Sequence, residues 1–323
     1  MTEHNFYPLI LKAPLKDYIW GGTRLKSDFG FESDLSKVAE AWVVSCHKDG
    51  PSVVSNGSLE GKTLEEAIEI LGADALGDAC KDFDRFPILV KLIDAKDRLS
   101  IQVHPSDEYA RANEGDNGKT EMWYVIDCDE GAQLVYGFNR SIDSNEFKER
   151  IESNTLDDVL NYVDVHKGDI FFIPSGTVHA IGKGILIAEI QQNSNVTYRV
   201  SDYGRLGADG KPRQLHVDKA IAVSDTNPPT APYGNVGKVT ICGDSDVRHL
   251  AKCKYFDAKL IDLDGSCEIS NGNSFISLVV IDGDIELISE QGSYHLVKGE
   301  SAFIPCGLEF TLKGTAQILS ASV

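Results

Sequence analysis

The sequence predicts a mainly β chain of two β domains, with a few short helices confined to the first. Three observations predict it. Short Val- and Ile-rich runs recur between Gly, Asp and Asn turns along most of the 323 residues. Helical periodicity is scarce and never alternates regularly with strands, which favours antiparallel sandwiches or barrels over a parallel βαβ sheet. A sequence frame from the middle of the chain returns near its end, the mark of a duplicated unit.

Strands are read at Val125–Ile126, Ile170–Ile173, Ile185–Ile190 and Ser277–Ile281, where β-branched side chains alternate or cluster. Thr63-Leu-Glu-Glu66 is a capping box, and Ala67, Ile68 and Leu71 follow at helical spacing. Asp143-Ser-Asn-Glu146 opens a second helix through Phe147 and Ile151. Leu156 to Val163 predicts another, and Pro105-Ser106-Asp-Glu108 a short one. Ser224 to Asn235 carries three prolines among small polar residues, which cannot continue a helix or a central strand. The expected division is therefore residues 1–225 and residues 236–323.

The repeat supports that division. Lys167-Gly-Asp-Ile-Phe-Phe-Ile-Pro-Ser-Gly-Thr-Val-His179 aligns without gaps on Lys298-Gly-Glu-Ser-Ala-Phe-Ile-Pro-Cys-Gly-Leu-Glu-Phe310. A weaker match pairs Val125-Ile-Asp127 with Val280-Ile-Asp282. His179 closes the first copy and Phe310 the second, so chemistry is expected in the first unit only.

Composition narrows the function. Hydrophobic residues make up 42% and charged residues 25%, enough for a sizeable core. The net charge of −19 excludes a nucleic-acid binder and docking on an anionic membrane. A small anionic substrate then needs a local basic cluster. Residues 195–219 offer one, with Arg199, Arg205, Lys211, Arg213 and Lys219 against Asp202, Asp209 and Asp218. The seven cysteines are odd in number, scattered and free of any CxxC pair, which predicts reduced thiols in a cytoplasmic protein. The N-terminus lacks a signal pattern, and no apolar run approaches the roughly 20 residues of a membrane span. The expectation is a soluble, cytoplasmic monomer or weak homo-oligomer.

Metal chemistry is written in three separated segments. In Ile101-Gln-Val-His-Pro105, Gln102 and His104 are two apart and project from one face of a strand. Glu121 enters another strand, and His179 ends the repeat frame. Two imidazoles and a carboxylate make a catalytic zinc set with an open position, or a non-haem iron set. Gln102 adds a weaker amide oxygen. His4, His47, His166, His216, His249 and His295 have no comparable context.

The frame from Gly168 through Pro174 and Gly176 to His179 resembles the second signature motif of the cupin superfamily, whose members are double-sheet jelly rolls. Further segments are similar to the type I mannose-6-phosphate isomerases in their short bacterial form. These are Trp20-Gly-Gly-Thr23, Ala39-Glu-Ala-Trp-Val-Val-Ser45, Pro87–Ala95, Leu99-Ser-Ile-Gln-Val-His-Pro105, Gly118-Lys-Thr-Glu-Met-Trp123, Gly176–Ala180 and Ile190–Val200. The resemblance implies two cupin-type jelly-roll domains, the second metal-free. It implies one Zn2+ per chain on Gln102, His104, Glu121 and His179, an active-site arginine at Arg199, and Ser100 and Lys91 near a substrate phosphate. The implied reaction interconverts mannose 6-phosphate and fructose 6-phosphate by proton transfer through a cis-enediol. The family's usual acid four residues before the arginine is Asn195 here.

Such a proton transfer needs a base, a carbonyl polariser and an oxyanion stabiliser. Arg199 is a fixed cation for the last role, unless it is spent on Asp202. Lys119 lies two residues before Glu121 and is read as a base or phosphate partner, against a plain solvated turn lysine. Lys91 interrupts the apolar run Ile88–Ile93, so it must face a partner or a cavity. Glu189 is a secondary acid/base candidate. Two other readings compete: a cupin metal-dependent dioxygenase, and a sugar-phosphate-binding cupin without catalysis.

Overall fold

A computed structural model describes residues 6–207 and 210–323; His4 and Asp209, named above, lie outside them. Among the described residues the strands form three antiparallel sheets of nine, six and five strands. The six-stranded sheet runs in the order Ile170–Ile173, Glu121–Cys128, Ile185–Gln192, Ile88–Ala95, Glu40–Val44, Leu15–Lys16. The five-stranded sheet runs Tyr198–Ser201, Ile101–Val103, His179–Ala180, Gln133–Phe138, Leu160–Asp164.

Alternation along these strands builds the site. In the six-stranded sheet, Val90, Leu92, Met122, Tyr124, Ala188 and Ile190 face away from the sandwich, into a core shared with the nine-stranded sheet. Their odd-numbered neighbours Ile93, Trp123 and Ile187 face inward and meet Tyr136 of the five-stranded sheet and Ile181 just beyond it. Strands buried on both faces read as continuous apolar runs, which is why Ile88–Ile93 lacks a clean period of two. On the five-stranded sheet, Ile101, Val103, Val178, Ala180, Tyr198 and Val200 pack outward, against Phe147 and Ala220. Those two side chains come from the helices Ser144–Glu152 and Val217–Val223. The residues between them, Gln102, His179 and Arg199, must then point inward.

The repeat is structural as well as sequential. The Val125 N–H donates to the Asp169 carbonyl and the Gly168 N–H to the Val125 carbonyl, at 2.9 and 2.8 Å. Val280, Glu300 and Gly299 repeat the pair at 3.0 and 2.8 Å. Gly168 and Gly299 both take left-handed φ, 88° and 94°, a turn that a side chain would strain. Phe310 is buried in the apolar core of the second unit, so that barrel is filled where the first is polar.

The predicted helices at Leu64–Leu71 and Ser144–Glu152 form, capped by Thr63 and Asp143. Ser106 caps a third, Asp107–Asn113. Leu156–Val163 departs from expectation. One 3-10 turn, Leu156–Val159, gives way to the edge strand Leu160–Asp164, because pairing with Gln133–Phe138 satisfies that backbone better than an uncapped helix. Val217–Val223 was not anticipated, since no side chain caps its start. Cys242 and Cys267, expected as free thiols, are joined in a disulfide. The hairpin between their strands brings the two Cα atoms to 5.4 Å across 25 residues, an approach that spacing alone does not reveal. The other five cysteines are free. Leu9–Lys12 pairs with both Ser301–Ile304 and Val53–Val54, so the N-terminal segment completes the nine-stranded sheet across the expected linker.

Candidate active site

His104, Glu121 and His179 converge inside the six- and five-stranded sandwich, with one ligand atom from each within 4.8 Å of the others. All three are at most 1% exposed. His179 pairs in register with Gln102 across adjacent strands, and the Gln102 Nε2–H donates to His179 Nε2 at 3.5 Å. A half-turn of that amide presents its oxygen instead.

Both imidazoles are fixed from behind. His104 Nδ1–H donates to the Val196 carbonyl at 2.8 Å and His179 Nδ1–H to the Thr177 carbonyl at 2.9 Å. Each Nε2 is thereby left as a lone-pair donor toward the centre. Burial and the Lys119 charge hold His104 well below the usual histidine range, and burial lowers His179 to about 4. Both rings are neutral, the form a metal needs. Both Glu121 carboxylate oxygens are fully buried, Oε2 beside the Lys119 ammonium at 2.8 Å and Oε1 beside His179 Nε2 at 3.3 Å. Two neutral imidazoles, a buried carboxylate and an adjacent amide are a donor set that fits a divalent metal ion.

A cavity of about 320 Å³ opens above this centre. Gln102 and Lys119, which touch His179 and Glu121, line it, as do Ser100, Lys91, Glu189 and Arg199. Lys119 is no solvated turn lysine: it is 5% exposed, with Nζ 2.8 Å from Glu121 Oε2 and 3.5 Å from Glu189 Oε1. Lys91 has the partners its burial demands, Glu189 at 3.2 Å and Glu40 at 3.8 Å. Glu189 also accepts the Trp123 indole N–H at 2.9 Å. Burial pushes its carboxyl up, but Lys119 and Lys91 outweigh burial and hold it ionised. Burial and then the Glu189 charge push the Glu121 carboxyl up. Both carboxylates touch Lys119, but at Glu121 burial and Glu189 outweigh it, whereas at Glu189 Lys91 adds to it.

Arg199 lies opposite Gln102 across paired strands, which places the two Cα atoms about 5 Å apart on one face. It is not spent on Asp202, which binds Arg205 at 2.6 Å and Arg213 at 2.7 Å. Its Nη1–H donates to the Gln214 carbonyl, and its buried Nε has no partner. Four cations, Lys91, Lys119, Arg199 and Arg213, face two carboxylates, Glu40 and Glu189, in the cavity wall. A chain of charge −19 therefore carries a locally positive pocket.

Glu40, Arg213, Tyr18 and Asn195 also line the cavity. Glu40 could have been found by the reasoning that flagged Lys91, since it is a lone charge in the apolar run Val38–Val44. Asn195 donates its Nδ2–H to Asp49 Oδ2 at 2.9 Å, so a carboxylate does stand beside position 195, delivered by another segment.

The chain is similar to known proteins along its length. The family model described as phosphomannose isomerase type I, catalytic domain, matches residues 9–131. The mannose-6-phosphate isomerase cupin domain model matches residues 246–323. Mannose-6-phosphate isomerase ManA of Bacillus subtilis is 42% identical over 314 residues, covering 97% of this chain and 98% of that protein. The mannose-6-phosphate isomerase of Streptococcus mutans is 35% identical over 298 residues, 92% of each chain. The crystal structure of the B. subtilis mannose 6-phosphate isomerase superposes with a TM-score of 0.91 at 36% identity, covering 98% of this chain and 99% of that one. A putative mannosephosphate isomerase from Archaeoglobus fulgidus, 23% identical, shares the fold at 0.78 over 98% of each chain.

Proposed function

This chain belongs to the type I phosphomannose isomerases, an aldose–ketose isomerase family, and from that premise we propose that it is a zinc enzyme working through a cis-enediol. Its substrates are mannose 6-phosphate and fructose 6-phosphate. The observation that carries the reading is the convergence of His104, Glu121 and His179 beneath a cavity walled by cations.

His104, Glu121 and His179, with the Gln102 amide oxygen, would hold one zinc per chain. When bound, zinc supplies Lewis-acid polarisation of the substrate's carbonyl and neighbouring hydroxyl oxygens. The remaining work falls to the protein. The C2 proton of the aldose leaves to a base and returns at C1, while the O2 proton passes to O1. Lys119, held between Glu121 and Glu189, would be deprotonated more readily beside a bound cation and would then be placed to take and return a proton. Arg199, fixed opposite Gln102, offsets the negative charge that develops on the enediolate oxygens. Ser100 and Lys91 serve the phosphate side. Glu189 keeps both lysines in register and stands as the second acid/base group.

We place the protein in the cytoplasm, acting as a monomer or weak homo-oligomer, with no nucleic-acid or membrane partner. No helix among the described residues is long and apolar enough to cross a membrane. The division into a catalytic 1–225 unit and a metal-free 236–323 unit is proposed as functional, since the triad lies wholly in the first. A coupled assay of mannose 6-phosphate conversion, run with chelator and then with zinc restored, tests the reading. Turnover should vanish and return; turnover indifferent to the chelator refutes it.

A further inference from the structure

We propose that Asp49 is a positioning residue, which turns the Asn195 carboxamide so that its oxygen faces the cavity beside Arg199 and accepts a hydroxyl of the sugar. The inference rests on the isomerase reading and deepens it. Asn195 and Arg199 line the same cavity, four residues apart. The Asn195 Nδ2–H is committed to Asp49 Oδ2 at 2.9 Å. A carboxamide whose nitrogen is held on one side presents its oxygen on the other.

Asp49 is itself held from several directions. Its backbone N–H donates to His47 Nδ1 at 3.1 Å, and its carbonyl accepts the Lys16 ammonium at 2.6 Å. His47 is buried, with Nε2 3.6 Å from Asp116. Asp116 takes the Asn117 N–H at 2.8 Å and pairs with Arg85 at 3.4 Å. The neighbouring Gly50 is so closely packed that a Cβ would stand 2.9 Å from the Trp42 ring. Lys16, Trp42 and Asp116, from three separate segments, thus hold a loop that supplies no metal ligand and reaches the cavity through Asn195. His47, without context in the sequence, is the anchor of this loop.

The test is a set of four variants, Asp49→Ala, Asp49→Asn, Asn195→Ala and Asp49→Ala/Asn195→Ala, each assayed for KM and kcat and for sugar-phosphate affinity by calorimetry. Asp49→Ala should raise KM and Kd about fivefold, the value of one ordinary hydrogen bond, with kcat within about twofold. Asp49 is half exposed, so the melting temperature should barely move. Asp49→Asn should restore KM, because its amide oxygen accepts the same N–H. The double variant should match Asn195→Ala alone. Unchanged KM and Kd in Asp49→Ala, no rescue by asparagine, or additive effects in the double variant would each overturn the inference. Absence of turnover in the unaltered protein would instead refute the isomerase reading, with the calorimetric arm still testing Asp49.

Discussion

His179→Phe makes in the first barrel the replacement that the repeat already carries at Phe310. It should empty the metal centre while leaving the fold standing. The imidazole is fully buried, so the new ring meets no water. The substitution removes the Nδ1–H bond to the Thr177 carbonyl, which leaves that partly buried oxygen without its partner at about 1–3 kcal/mol. It gains the burial of a phenyl ring, about 2 kcal/mol, and keeps the edge contact with Trp123, whose ring centroid lies 5.3 Å away. The two nearly cancel. In chelator, the melting temperature should therefore shift by no more than about 4 °C. Zinc present at a hundred times its Kd adds about 2.7 kcal/mol to the unaltered protein and should add nothing to the variant. Altering a residue that merely orients a metal ligand costs about 10- to 100-fold, so losing the ligand itself should lower kcat/KM at least 100-fold. Calorimetric melts with and without zinc, metal content and the coupled assay read all three. A variant that keeps its zinc and a tenth of its turnover, or one that fails to fold, would refute the reasoning.

Three further outcomes follow from the same structure. The positive cavity wall on an acidic chain predicts that KM for the sugar phosphate rises with added salt while kcat holds, read in a salt series of initial rates; a salt-independent KM would place the phosphate elsewhere. Burial raises the Asp202 carboxyl, but Arg213 and Arg205 outweigh it and hold it below its usual value. That pair energy is present above the unfolded value of 3.8 and is lost as pH falls through the lower folded value, so Asp202→Asn should flatten the acid limb of melting temperature against pH below about 4. Residues 236–323 expressed alone should aggregate, because Ser301–Ile304 loses its Leu9–Lys12 neighbour and exposes a strand edge; a soluble monomer by light scattering would show that the unit stands alone.

The site was legible in the sequence because its residues break local rules. Lys91 in an apolar strand, His179 in a frame that otherwise ends on Phe310, and Gln102 with His104 two apart each signal a polar group aimed into a core. The departures have local causes too. Val217–Val223 carries no side-chain cap, and Leu160–Asp164 owes its strand to Gln133–Phe138, a partner outside any short local window. The disulfide and the pairing of Leu9–Lys12 with Ser301–Ile304 depend on contacts that only the closed fold creates. Asp49 escaped notice because an exposed aspartate in a loop looks ordinary until its partner is known.

The most direct test of the central claim is X-ray absorption at the zinc edge on the purified protein. The account predicts one zinc per chain, with imidazole nitrogens at about 2.0–2.1 Å, carboxylate oxygen and no sulfur, lost in His104→Ala. Zinc bound through cysteine sulfur, or retained undiminished in His104→Ala, would contradict it.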